Sequence, residues 1–292
     1  MGKVIIEKDG ESIHNTMYKI SEEGKSNFVN DKSLIDKMLK DYKGSGKQWP
    51  KVYGVPRSGS TLVRNILNTI FDGRVKVQKH HHFETVISNG DMTVASYRDP
   101  RDCAISKWRM NYGGFDNDKD KVITDWSSEN LIIPSHHTLM ENKKTSVSEC
   151  VKAIARRFKD LNKFDSDFGN DNIGYDISNY KDVGKRNKSI YFARYEQFHD
   201  NFDLLMNHFE KFFEIVIVKD LRNFVEDIWN KDRVKRVYSD SIPRGYDTDT
   251  EIHAHHIYKG ATGTWREILK EDDHDTMNER LSSELKRWGY EL

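Results

Sequence analysis

Cysteine is nearly absent from this chain: Cys103 and Cys150 are the only two among 292 residues. Two thiols build neither a disulfide framework nor a four-thiolate metal site, which fits a reducing compartment. An excess of charge of either sign is missing too, because 47 Lys and Arg are balanced by 47 Asp and Glu. That balance excludes the broad basic face of a general nucleic-acid binder and the acidic composition of a disordered solubiliser. Long apolar runs are also lacking. Ile215–Val218 has four residues, far below the ~20 needed to span a bilayer. Met1–Glu7 has no apolar signal-peptide core and no Ser or Thr at position six for myristoylation. The expectation is a cytoplasmic protein with neither a nucleic-acid nor a membrane partner. Proline is scarce, at five residues, while aromatics reach 11%, so disorder is not expected either.

What is present reads as one ordinary core under a very polar surface, with 36% apolar and 32% charged residues. No internal repeat or low-complexity linker divides the chain. Residues 1–46 are expected to form a polar N-terminal extension packed on a single domain, 47–292. A short buried strand at Lys51–Val55 leads through Pro56–Ser60, a turn composition, into an amphipathic helix carrying Leu62, Val63, Ile66, Leu67, Ile70 and Phe71. Further strands are expected at Val75–Val77, Met92–Tyr97 and Ile190–Phe192. Helices are expected after Asp99-Pro100, after the capping box Ser146-x-x-Glu149, across Phe198–Phe209 and across Met277–Trp288. Strands alternating with helices predict an α/β, three-layer, P-loop-type fold: a central parallel sheet with helices on both faces. Residues 111–145 have no clean period and read as a candidate lid or acceptor loop.

Three segments carry chemistry. Gly54-Val55-Pro56-Arg57-Ser58-Gly59-Ser60-Thr61 has the spacing of a phosphate-cradling loop, with Ser60 where nucleotide triphosphatases place lysine. Its backbone N–H groups and the following helix dipole suit an anion, but the lysine that reaches the terminal phosphates is missing. In Arg98-Asp99-Pro100-Arg101-Asp102-Cys103-Ala104-Ile105-Ser106, an arginine at a strand end and a hydroxyl two turns along a helix suit a second phosphate. In Lys259-Gly260-Ala261-Thr262-Gly263-Thr264-Trp265-Arg266, small residues let backbone approach an anion and Lys259 adds charge.

These segments, in this order, resemble the sulfotransferases that use 3′-phosphoadenosine 5′-phosphosulfate (PAPS). The family's phosphosulfate loop, P-[KR]-[ST]-G-[ST]-T, matches Pro56–Thr61. Its 3′-phosphate segment spaces Arg and Ser as Arg98 and Ser106 are spaced, and its late R-K-G-x-x-G-D-W-K stretch aligns on Tyr258–Arg266. Arg194-Tyr195-Glu196 resembles its R-Y-E segment, whose tyrosine approaches the adenine. The resemblance spans roughly residues 50–290, with 111–188 and 199–257 matching only in rough character.

The resemblance implies a sulfotransferase moving a sulfuryl group by in-line attack to a hydroxyl or amine on a small-molecule acceptor. Arg57, Ser58, Gly59, Ser60 and Thr61 would hold the 5′-phosphosulfate, with Arg57 also stabilising charge on the leaving oxygen. Arg98, Ser106, Lys259 and Gly260 would hold the 3′-phosphate, and Tyr195 the adenine. The product would be adenosine 3′,5′-bisphosphate (PAP), and no metal is implied. His81, in Lys79-His80-His81-His82, takes the general-base role, with His80 and His82 as alternatives.

Three departures stand out. Leu62 replaces a tryptophan that stacks on adenine in many members. Tyr258 replaces the arginine of the late motif, a job that could pass to Arg101. Only 24 positions separate Arg57 from His81. Asp116–Asp120 begins like a calcium loop, but Lys121 and Ser127 occupy its glycine and glutamate positions. Two other functions fit the same segments: a P-loop small-molecule kinase with a degenerate loop, and a non-catalytic adenosine-bisphosphate-binding module.

Overall fold

The computed structural model describes residues 7–8, 11–12, 36–37, 39–40, 42–43, 50–71, 77–80, 92–112, 123–131, 144–167, 190–230, 234, 246–247, 250–253 and 260–292. Strand β1 (Lys51–Gly54) runs through the Pro56–Gly59 turn into helix α1 (Ser60–Ile70). Strand β2 (Gln78–His80) follows, then β3 (Thr93–Tyr97) and α2 (Pro100–Tyr112). An antiparallel pair, β4 (Glu129–Leu131) and β5 (Lys144–Ser146), precedes α3 (Val147–Asp167). Strand β6 (Ile190–Arg194) leads to α4 (Tyr195–Asp200), α5 (Phe202–Phe213) and α6 (Lys219–Trp229). A small pair, β7 (Tyr246–Asp247) and β8 (Ile252–His253), precedes α7 (Trp265–Ile268), α8 (His274–Arg280) and α9 (Ser282–Arg287).

The main sheet has the order β2-β1-β3-β6, and every neighbouring pair is parallel. Side-chain alternation sends successive residues to opposite faces. Val52, Val94, Tyr191 and Ala193 join one core with Val63, Ile66, Leu67 and Ile70 of α1 and the apolar faces of α5 and α6. Tyr53, Ala95, Tyr97 and Phe192 join the other with Ile105 and Trp108 of α2, Ile154 and Phe158 of α3, Trp265 and Trp288. The expected three-layer α/β architecture is the one observed. Leu39 and Tyr42, within residues 1–46, are buried in the first core, and Tyr42 lies 5.1 Å from the Phe71 ring.

Sheet order places the site. The chain leaves β1 on one side to form β2, then returns past β1 to form β3. The carboxyl ends of β1 and β3 therefore flank the crevice where such sheets take ligands. A side chain at Gly54, on that rim, would put its Cβ 2.4 Å from Ser60 Cβ and 2.7 Å from Ser96 Oγ. The turn can fold back onto the sheet only because this position has none.

Some elements differ from expectation. The second strand lies at Gln78–His80 rather than Val75–Val77; Val77 is described and buried but precedes the strand, and 75–76 lie outside the described residues. The polar strand is an edge among the described strands, so the nearby valines were the wrong marker. The aromatic stripe from Phe198 to Phe209 is interrupted. Asn201 caps a new helix by accepting the Leu204 N–H at 3.0 Å, a contact typical of helix starts. The Met277–Trp288 stripe also spans two helices, which part at Leu281. The Met277–Trp288 stripe persists because both of its helices face the second core. The Ser146–Glu149 capping box forms in both directions, at 3.2 Å each.

Candidate functional site

The turn after β1 is wound by two left-handed residues, Arg57 (φ 74°) and Gly59 (φ 84°), on either side of Ser58. Glycine adopts that conformation freely; arginine does so at a cost of about 1–2 kcal/mol. Alternating the hand of φ turns consecutive backbone N–H groups toward one side, the geometry of an anion nest. Helix α1 then starts with no side-chain cap at Gly59 and no acidic residue in its first turn. Its first N–H groups have no acceptor within the helix, and the dipole adds partial positive charge there. Ser60 and Thr61, both buried, stand at this end. Ser58 plays a bracing part: its hydroxyl sits 2.8 Å from Ser96 Oγ and donates to the Ser96 carbonyl at 2.9 Å, while its N–H donates to Val55.

Arg57 reaches from this turn to α2. Its Nε donates to the Ser106 hydroxyl at 3.0 Å, and Nη1 points at the Met110 sulfur at 3.6 Å. Burial, and then the charge of Arg98, lowers its pKa to about 10, so it stays cationic at neutral pH.

Arg98 lies just past the end of β3. Its guanidinium stacks 4.6 Å over the Tyr195 ring, pairs with Asp102 at 3.3 Å and donates from Nη2 to the Ala261 carbonyl. Its Nε is buried and has no hydrogen-bond partner among the described residues. Tyr195 donates its hydroxyl to the Gly260 carbonyl at 2.9 Å. Arg98, Tyr195 and the 260–261 backbone thus form one cluster from three remote segments.

Asp102 organises that cluster. Its fully buried carboxylate accepts the Gly263 N–H at 2.7 Å, the Thr264 hydroxyl at 3.0 Å and the Trp265 N–H at 3.1 Å. Its two oxygens thereby fasten the late loop to α2 and Arg98. A second clip lies beneath. Half-buried Glu196 accepts the Asp99 N–H at 2.8 Å and the Tyr290 hydroxyl at 3.0 Å, tying α4, the start of α2 and the segment after α9 together.

Of the residues singled out from sequence, Arg57, Ser58, Gly59, Ser60, Thr61, Arg98, Ser106, Tyr195 and Gly260 gather around the carboxyl ends of β1, β3 and β6. Lys259, His81 and His82 lie outside the described residues. His80 stacks on Tyr53 at 5.3 Å, and burial, followed by the charge of Lys51, lowers its pKa. Arg101, to which the job at Tyr258 could pass, is held by other groups among the described residues. All three of its guanidinium nitrogens are engaged by Asp99 and Asn278, and the group lies 4.5 Å over Trp265.

Sequence reading missed Asp102, Glu196 and Lys79. Lys79 Nζ donates to the Thr61 hydroxyl at 2.9 Å and pairs with Glu251 at 2.6 Å. The signal for Asp102 was its place one helical turn after Arg98, which a run of alternating charges obscured. Among the described residues, no group of three or more His, Cys, Asp and Glu side chains could hold a metal ion. Nor is any helix among them long and apolar enough to cross a membrane.

No protein-family model matches the chain, and no curated protein matches it in sequence. Solved structures do. Mouse sulfotransferase SULT7A1 complexed with PAP is similar at a TM-score of 0.51 and 10% identity, over 82% of this chain and 84% of that one. Retinol dehydratase in a complex with retinol and PAP is similar at a TM-score of 0.52 and 13% identity, over 83% of this chain and 82% of that one. Identities this low speak to architecture alone. With its sheet order, its loop at the switch point and these neighbours, the chain has the sulfotransferase fold.

Proposed function

We propose that this chain is a PAPS-dependent sulfotransferase acting on a hydroxyl or amine of a small molecule. The observation that carries this reading is the convergence of two guanidinium groups, Arg57 and Arg98, at the switch point, with one buried donor of Arg98 left over. The charge of Arg98 disfavours the charged form of Arg57, and the buried Arg98 Nε has no hydrogen-bond partner among the described residues, while Asp102 pairs with the other end of that guanidinium. A buried donor without a partner costs about 1–3 kcal/mol, and a bound phosphate would remove that cost. The uncapped start of α1 adds a second place for an anion. Two anionic groups on one ligand, a 3′-phosphate at Arg98 and a 5′-phosphosulfate at Gly59–Thr61, match the two places. The PAP named with both neighbours supports that match.

PAPS supplies an activated sulfuryl group, which passes to the acceptor oxygen or nitrogen as the bridging S–O bond breaks. In that step the chain's work is positioning and charge stabilisation. Arg57 would lie against the leaving phosphate oxygen and offset the charge that grows there, an effect worth about 3–4 kcal/mol for a single well-placed donor. Ser60, Thr61 and the Gly59–Thr61 N–H groups would hold the 5′ end. Arg98, Ser106, Lys259 and Gly260 would hold the 3′-phosphate, and Tyr195 would border the base. The acceptor's proton is assigned to His81. Among the alternatives, His80 is packed against Tyr53, so His82 is the stronger one.

Thermal-shift measurements with PAP, with ATP and Mg²⁺, and without ligand test the reading. A labelled-sulfate assay from PAPS to a panel of alcohols and amines follows, retinol among them because of the retinol-bound neighbour. Stabilisation by PAP and transfer to some acceptor are expected. No stabilisation by PAP overturns the reading, and stabilisation without transfer to any acceptor leaves a nucleotide-binding module. Stabilisation by ATP and Mg²⁺ alone points to a kinase.

A further inference from the structure

Lys79 sits at the Thr61 end of the anion loop, and its carboxylate partner comes from a distant segment. Its ammonium donates to Thr61 Oγ1 at 2.9 Å and pairs with Glu251 Oε2 at 2.6 Å. The other Glu251 oxygen lies 3.6 Å from Arg64 Nε on α1. Glu251 is held for this contact. It adopts a left-handed backbone (φ 56°), unusual for glutamate. On one side, the Thr250 carbonyl accepts Asn65 Nδ2 at 2.8 Å; on the other, Ile252 is buried in the first core. The turn is therefore anchored to α1, and the carboxylate is a fixed negative charge beside the loop.

We infer that Glu251 sets donor affinity by acting as an internal counter-anion: it holds Lys79 at Thr61 and competes with the donor's 5′ anionic group for that lysine. The inference rests on the proposed donor site. The Lys79 side chain is 10% exposed and that of Glu251 27%, so the pair is screened but not fully solvated. An anion arriving at Thr61 meets a lysine already neutralised, and its affinity is reduced. A carboxylate there also penalises ligands with more negative charge at the 5′ end, which makes Glu251 a filter as well as a brace.

The test uses Glu251→Gln, which keeps a hydrogen-bond acceptor for Lys79 and removes the charge. Calorimetric titration of the full chain with PAP should show roughly two- to fivefold tighter binding than wild type, the size expected of a partly exposed ion pair. Adenosine 3′-monophosphate, which lacks the 5′ group, should bind both proteins equally. Adding Lys79→Met to Glu251→Gln should abolish the gain. A merely structural role for Glu251 predicts weaker PAP binding and a lower melting temperature, so unchanged or weaker binding overturns the inference. An equal gain for both nucleotides overturns it as well. Failure of wild type to bind PAP is a different result, and it overturns the donor site itself.

Discussion

The Arg57 Nε and the Ser106 hydroxyl meet at 3.0 Å although 49 positions separate them in the chain. This bond closes the anion turn onto α2, so the places proposed for the two ends of the donor share one contact. Replacing Ser106 by Ala is expected to weaken PAP binding about tenfold, the lower end of what a hydrogen bond to a charged group contributes. Arg57→Ala should cost more in turnover, about 10²-fold, than in PAP affinity, because its charge is needed chiefly as the leaving group forms. The double variant should lose less than the sum of the two single losses, by at least about 0.5 kcal/mol. Calorimetry on the four proteins checks this; strict additivity would show that the bond does not couple the two ends.

Arg98→Met tests the 3′ end. The substitution keeps much of the bulk over Tyr195 but removes every donor. PAP should lose about 10²-fold in affinity while adenosine 5′-monophosphate changes little. Equal losses for the two nucleotides would contradict the assignment. The variant also leaves buried Asp102 without its ion pair. A fall in melting temperature is expected too, corresponding to about 3 kcal/mol. Measuring both readouts separates folding from recognition.

His81→Ala is expected to abolish sulfuryl transfer and leave PAP binding within about twofold of wild type, since a general base acts on the acceptor side. Near-normal turnover in this variant would shift the role to His82.

A stability prediction comes from His208. Its Nδ1 lies 2.8 Å from the Tyr191 hydroxyl in the first core, and burial, followed by the charge of Lys211, lowers its pKa from 6.5 to about 4. Between those values the unfolded chain binds the proton and the folded chain does not. Stability therefore falls as pH drops from about 6.5 toward 4. The contribution should reach about 2–3 kcal/mol at the low end. His208→Gln should show a shallower decline over that window in urea unfolding, and an unchanged slope would show that other groups govern it.

How much of this could be read beforehand depended on whether a residue's partner was near it in sequence. The turn at Pro56–Gly59 and the capping box at Ser146 depend on neighbours a few positions away, and both were legible. So was Arg98 at the end of an apolar strand. Lys79 was not, because its partners Thr61 and Glu251 lie 18 and 172 positions off, and a Lys-His-His-His run looks like a solvated edge. Asp102 was hidden for the same reason. Helix α6 carries a usable signal, with Leu221, Val225, Ile228 and Trp229 buried at helical spacing, in a stretch that the family resemblance matches only in rough character. The split at Asn201 was obscured because aromatic residues recur at helical spacing on both sides of it in the sequence.

Asp102 has a consequence for how the molecule is made. Its partner Gly263 lies 161 positions downstream, so a chain growing from the N-terminus has Arg57, Arg98 and Ser106 long before it has the loop that Asp102 fastens. Until then the carboxylate on α2 has only Arg98 to answer it. The clip between Glu196 and Tyr290 is completed later still. Donor nucleotide in the cell would thus find no finished cradle on a nascent chain. The proposed cradle is complete only once these last segments have been made.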